Sequence, residues 1–235
     1  MRFQAVAFDL DGTLYPNHNF YIQLIPFLLK ENKYLKVFGN VRDRMRIEDA
    51  KRNELHAVNS REHLSFYKIQ AQYMSEILGQ DPDFLAAKTE KLIYRGWEPL
   101  FKKVKLFPHV REFLLLLHEK NVKLGLLSDF PPEEKLKNLG LSGIWDAVLC
   151  SEEIGRLKPD PLPFRELIRV MDTDPGKILY VGNSFRYDIL GANRCGMKTA
   201  WIKPRRKRFF PGSGKDRTAD FVFYSYRQLR DFMLV

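Results

Sequence analysis

Two carboxylates, Asp9 and Asp11, leave a short apolar run two residues apart, and few folds give a chain a reason to do this. Val6-Ala7-Phe8 reads as a buried strand, so the acids emerge at its C-terminal end. Side chains two apart on a strand share a face, so Asp9 and Asp11 can address one spot. Gly12 permits the tight turn that must follow. Two acids at such a place repel unless a cation, a proton or a chemical task keeps them together. Phe8-Asp9-Leu10-Asp11-Gly12-Thr13-Leu14 is therefore read as a reactive turn rather than a solvated one.

The rest of the chain divides by its periodicity. Residues 3–8 read as a strand, and no convincing strand follows until after residue 100. In between, Phe66, Ile69, Tyr73 and Ile77 recur at helical spacing beside Tyr67, Gln70, Met74 and Leu78. Asp81-Pro82 has the form of an N-cap with proline at the first helical position, opening a helix through Ile93. Residues 17–100 are thus expected to be a helical insert, closed by a linker around Pro99 to Lys105. Beyond it, strands expected at 122–127, 146–150, 177–181, 198–202 and 219–224 alternate with helices at 108–120, 132–139, 163–171 and 185–195. A short C-terminal helix ends the chain. That alternation implies right-handed βαβ units and a parallel sheet, with any site at the C-terminal ends of its strands.

Composition narrows the setting. A chain of 235 residues holds one large α/β domain, or a core with an insert. The longest aliphatic run, Leu114 to Leu117, is far too short to span a membrane, and no secretory hydrophobic region opens the chain. Cys150 and Cys195 lack a CxxC pairing, which suits free thiols in a reducing cytoplasm. The net charge of +10 is concentrated at 203–217, where Lys203, Arg205, Arg206, Lys207, Arg208, Lys215 and Arg217 face only Asp216. Such a loop attracts phosphates or nucleic acid, or is simply solvated. Pro211-Gly212-Ser213-Gly214-Lys215 imitates a phosphate loop, but Phe209 stands at the first glycine position and Asp216 replaces Ser or Thr. The five histidines show no zinc-binding spacing.

Three further segments fall where strands should end. Leu126-Leu127-Ser128-Asp129 places a hydroxyl after the second core strand. In Gly155-Arg156-Leu157-Lys158-Pro159-Asp160-Pro161, Pro159 biases Lys158 toward an extended turn that projects its ammonium. That point charge suits a phosphate oxygen or crowded carboxylates. Val181-Gly182-Asn183-Ser184-Phe185-Arg186-Tyr187-Asp188 follows another apolar strand, and Asn183 offers a carbonyl oxygen to a hard cation.

Taken together and in this order, the four segments resemble the signature motifs of the haloacid dehalogenase (HAD) superfamily, in its phosphatase-like subfamily with a helical cap. The resemblance spans nearly the whole core; the insert matches only in position and helical character. It implies an α/β fold with a Rossmann-like parallel-sheet core, residues 1–16 and 101–235, and an inserted α-helical cap domain, residues 17–100. It implies a Mg²⁺-dependent phosphohydrolase acting on small phosphate monoesters through an aspartyl phosphate. Asp9 would be the nucleophile, Asp11 the general acid and base, and Ser128 and Lys158 the phosphate-binding pair. Mg²⁺ would bind Asp9, the Asp11 backbone carbonyl and Asn183, with Asp188 nearby. The partner implied is a small phosphorylated metabolite rather than a membrane or nucleic acid.

Two features depart from the family pattern: Asp129 stands where Asn is common, and Asn183 where Asp is usual. Two rival functions follow. A 2-haloacid dehalogenase shares the fold and needs no metal, but it has no leaving alcohol to protonate and so would lack an acid at position 11. A non-catalytic protein using the basic loop on nucleic acid or acidic partners would not depend on Asp9.

Overall fold

A computed structural model describes residues 2–55, 65–203 and 218–234. The basic segment therefore lies outside the described residues except for Lys203, and the phosphate-loop look-alike lies wholly outside them.

Six strands form one parallel sheet: β1 (Ala5–Phe8), β2 (Lys123–Ser128), β3 (Ala147–Cys150), β4 (Ile178–Gly182), β5 (Lys198–Ile202) and β6 (Phe221–Phe223). Their spatial order is β3-β2-β1-β4-β5-β6. β1 is central, with Phe8 in register with Leu126 on one side and Val181 on the other. All four of its residues are buried, as expected of a strand covered on both faces. Alternation along the strands then divides the core. Val6, Phe8, Leu124, Leu126 and Val181 join one hydrophobic cluster, while Ala5, Ala7, Leu127, Ile178 and Tyr180 join another. The strand order reverses direction at β1 and β4, and in open α/β sheets the crevice beyond such a point is where ligands bind.

Helices occupy the insert. α1 (Asn17–Leu55) is a long helix broken at Glu31, whose φ of −123° and ψ of 27° are not helical, and it contains Pro26. α2 (Phe66–Leu78) ends at Gly79 in the left-handed conformation. α3 (Pro82–Thr89) begins where expected, with Asp81 accepting a 2.9 Å hydrogen bond from the Phe84 N–H. It runs through a π-turn (Glu90–Tyr94) and α4 (Arg95–Trp97) into a 3₁₀ turn (Glu98–Lys103). That turn occupies most of the expected linker, and it is packed: Phe101 is buried and stacks on Phe20 with centroids 4.7 Å apart. The insert has its own core, built from residues such as Phe38, Val41, Met74, Leu85 and Ile93. Leu157 joins it from beyond the insert and so ties the two parts together. Within α2 the buried face is Phe66, Gln70, Ala71 and Met74, narrower than the apolar stripe, and Ile77 is exposed.

Around the sheet lie α5 (Val110–Glu119), α6 (Glu133–Asn138), α7 (Ser151–Ile154), α8 (Pro161–Met171), α9 (Leu190–Arg194) and α10 (Tyr226–Leu234). α8 starts two residues earlier than expected because Asp160 caps it, accepting from the Leu162 N–H at 2.8 Å. The helix expected at 185–195 opens instead as a π-turn, Phe185–Ile189, before α9. Both cysteines are free, and burial pushes the Cys150 thiol up to about 12. No helix among the described residues is long and apolar enough to cross a membrane.

Candidate active site

β1 delivers Asp9 one residue past its last ladder position, where the Asp9 N–H still donates to the Val181 carbonyl of β4 at 2.9 Å. The Asp9 carboxylate is buried and divided between two donors. Thr13 Oγ1 donates to Oδ2 and Lys158 Nζ to Oδ1, each at 2.7 Å. Lys158 is itself buried, and its ammonium also donates to Asp188 Oδ1 at 2.7 Å, the Leu127 carbonyl at 3.2 Å and the Tyr180 hydroxyl at 3.3 Å. Burial opposes the lysine's charge, yet Asp188 and Asp9 hold its pKa well above the ordinary value. One ammonium between two buried carboxylates leaves negative charge in excess. Burial and then Asp188 raise the Asp9 carboxyl to about 7, against the opposing pull of Lys158.

The π-turn after β4 sets Asp188. It turns the carboxylate inward, where Oδ2 also accepts from the Ser184 N–H at 2.9 Å. Gly182 is required here, because a Cβ would collide with the Asp188 side chain. Gly12 is required as well: its φ is +86°, and a Cβ would strike the amides of Asn183 and Asn17. Asn183 therefore lies against the turn that carries Asp11, and its backbone carbonyl accepts from Trp201 Nε1 at 2.9 Å. Ser128 sits fully buried at the end of β2, its Oγ accepting from the Phe130 N–H at 3.2 Å.

Asp11 follows a separate arrangement. Lys135 of α6 donates to both of its carboxylate oxygens, at 2.9 and 2.7 Å, and the Tyr15 hydroxyl donates to Oδ1. Lys135 Nζ lies 5.1 Å from the ring centroids of both Phe101 and Phe130, so the ammonium is held between two aromatic rings as well. Strand alternation accounts for only part of this geometry, since the strand ends at Phe8. Asp9 and Asp11 are close enough for Asp11 to help raise the Asp9 pKa, but they have separate hydrogen-bond partners. Tyr15 packs at the base of the insert, and His18 is exposed.

Asp129 explains one departure from the expected pattern. It accepts from the Lys158 backbone N–H at 3.1 Å and from Arg46 Nη2 of α1 at 3.0 Å. Burial pushes its carboxyl up, but Lys158, Arg46 and Arg42 outweigh that and hold it below the usual range. Arg46 also donates to the Lys158 carbonyl at 3.1 Å, so the insert grips the loop that carries the buried lysine.

Residues 3–196 match the family model of haloacid dehalogenase-like hydrolases. The chain belongs to this family. Among its relatives, the glyceraldehyde 3-phosphate phosphatase of Methanopyrus kandleri is 29% identical over 97% of this chain and 96% of its own. The HAD phosphatase of Thermococcus onnurineus superposes with a TM-score of 0.63 at 23% identity, over 98% of this chain and 97% of that one. The 2-haloacid dehalogenase of Pseudomonas syringae pv. Tomato DC3000 superposes with a TM-score of 0.66 at 24% identity, over 99% and 98%. The fold is thus common to phosphatases and dehalogenases of the HAD family, and the site residues have to separate them.

Lys135, Arg46 and Thr13 have no counterpart among the residues singled out from sequence. Thr13 lies inside the first motif and could have been read as a partner for Asp9. Glu133-Glu134-Lys135-Leu136-Lys137 has the look of an ordinary solvated helix face, and nothing in it marks Lys135.

Proposed function

We propose that this HAD-family hydrolase is a phosphatase acting on small phosphate monoesters through an aspartyl phosphate. The observation that carries the reading is the pair of differently held acids. Asp9 is buried against Lys158 and Thr13, while Asp11 is partly open and bound by Lys135 and Tyr15. A nucleophile and a proton carrier need such different surroundings. A dehalogenase has no use for the acid at position 11, and the full-length relative from Methanopyrus kandleri is a phosphatase.

In this mechanism Asp9 forms a bond to phosphorus as the ester oxygen departs, and Asp11 gives that oxygen a proton. Asp11 then takes a proton from water as the water oxygen attacks phosphorus and the Asp9–phosphorus bond breaks. Thr13 fixes the rotamer of Asp9. Ser128, at the end of β2, and Lys158, in the loop before α8, would meet phosphoryl oxygens as charge redistributes.

Phosphatases of this family generally use a divalent metal, and the donors present suit one. Asp9 and Asp188 supply two carboxylates, and the Asp11 backbone carbonyl and Asn183 supply neutral oxygens, the hard set that Mg²⁺ prefers. Among the described residues no three His, Cys, Asp or Glu side chains form a metal-holding group. The site would therefore rely on two carboxylates and be modest in affinity. When bound, the cation would supply charge to the excess negative site and polarise a phosphate oxygen.

Release of inorganic phosphate from p-nitrophenyl phosphate tests the reading. Activity should require added Mg²⁺, disappear with a chelator, and vanish in Asp9→Asn. Full activity in that variant would defeat the nucleophile assignment.

A further inference from the structure

A cavity of about 560 Å³ opens between the insert and the core, within the size range of small-molecule sites. Asp11 and Lys135 line it, whereas the buried Asp9, Ser128 and Lys158 do not. If Asp11 protonates the departing oxygen, the body of the leaving group extends into this space and nowhere else in the site. On the phosphatase reading above, the walls of this space define the substrate.

The walls are largely rings: Phe20, Phe38, Tyr94, Trp97, Phe101 and Phe130 all contribute. Exposed apolar side chains continue this surface at the mouth, where Leu28 and Tyr21 of α1 are 42% and 57% exposed. A three-carbon body would leave most of this apolar space unfilled. The charges are equally selective. The cations that line the cavity are already engaged: Arg42 with Glu152, Arg46 with Asp129 and Lys135 with Asp11. By contrast, Glu98 and Glu133 line it and form no ion pair among the described residues. A second phosphate or a carboxylate on the leaving group would enter against uncompensated negative charge.

We infer that the substrate is the monophosphate ester of an uncharged alcohol that carries an aromatic or comparably bulky apolar group. The cavity binds that group while Asp11 meets the ester oxygen. Apolar contact supplies affinity and the unpaired carboxylates turn away anionic alcohols.

The test compares esters whose leaving groups are all aliphatic alcohols, so that departure chemistry is similar. kcat/KM is measured for 2-phenylethyl phosphate, ethyl phosphate and 3-phosphoglycerate, with p-nitrophenyl phosphate as the reference for phosphatase activity itself. The phenylethyl ester should exceed ethyl phosphate at least tenfold, mostly through KM, and 3-phosphoglycerate should be the poorest of the three. Leu28→Glu, at an exposed position, should bring the phenylethyl-to-ethyl ratio down severalfold, and Tyr21→Glu repeats the test at a second exposed position. Turnover of p-nitrophenyl phosphate with equal or inverted preference among the three esters would overturn this inference and leave the phosphatase reading standing. A ratio unmoved by both variants would equally place the ring outside the cavity. No phosphate release from any ester would overturn both.

Discussion

Lys135 illustrates how much of a site depends on where a side chain arrives rather than on its neighbours in sequence. It reaches Asp11 from a short helix that begins four residues after the Asp129 turn, and it donates to both carboxylate oxygens. A lysine so placed orients the proton carrier toward the cavity. Lys135→Met should therefore slow hydrolysis of alkyl phosphates by about tenfold or more, on the scale of general acid–base contributions. p-Nitrophenyl phosphate, whose leaving phenolate hardly needs a proton, should suffer less, and Lys135→Arg should recover part of the loss. Equal losses on both esters would mean a merely structural lysine. Asn183 gives the second forecast at this scale. Asn183→Asp adds a carboxylate beside the Gly12 turn and should tighten Mg²⁺ about tenfold, roughly 1.4 kcal/mol. Asp188→Asn should weaken it severely. Calorimetric titration with Mg²⁺, alongside activity, checks both; an unchanged affinity in both variants would remove this segment from the metal site. Asp9, Lys158 and Asp188, which hydrogen bonds join, could be singled out from sequence because each stands in a motif: Asp9 and Asp188 follow apolar strands, and Lys158 precedes a proline before a helix. Lys135 and Arg46 could not, because a cation in a helical stretch looks the same whether it meets solvent or a buried acid.

Secondary elements show the same division. The core strands could be read because parallel central strands are continuously apolar, and the helix start at Asp81 because that acid precedes a proline; the same Asp-Pro signal at Asp160 was passed over, and α8 opens two residues before the expected start. The π-turn over 185–189 could not be read, since the sequence that makes it looks helical; it is tertiary contact that turns Asp188 inward. Among the ties between the insert and the core, the most deeply buried ion pair of the described residues stands out. Arg42 of α1 donates to Glu152 of α7, and its guanidinium lies 4.0 Å over the Phe130 ring. Removing one partner leaves the other charged and buried, which costs about 3–5 kcal/mol, whereas replacing both by apolar residues of similar volume is often close to neutral. Arg42→Met should lower the denaturation midpoint markedly, and adding Glu152→Leu should restore much of it. A single variant as stable as the parent would show that the pair does not hold α1 to the core.

Across the whole molecule, the order of the sheet brings the ends of β1, β2 and β4 and the loop that carries Lys158 to one crevice, with the helical insert closing over it. Alternating strands and helices made the parallel sheet foreseeable, but the position of β1 between β2 and β4 follows from register that no local pattern reports. Likewise the packed 3₁₀ turn at Phe101 stands where a linker was expected, because its apolar residue is buried by partners distant in sequence. The basic run contributes to charge without belonging to any of the four motifs. Neutralising Arg205, Arg206, Lys207 and Arg208 together should leave turnover of a small phosphate nearly unchanged, and a hundredfold loss in a folded variant would bring that run into the site. The central claim concerns one covalent bond, between Asp9 and phosphorus. Rapid quenching during steady turnover, followed by mass spectrometry of the proteolysed chain, reads it directly. The account predicts a phosphoryl group on the peptide that carries Asp9, absent from Asp9→Asn; steady turnover with Asp9 unmodified, or with the phosphoryl group on another residue, would contradict it.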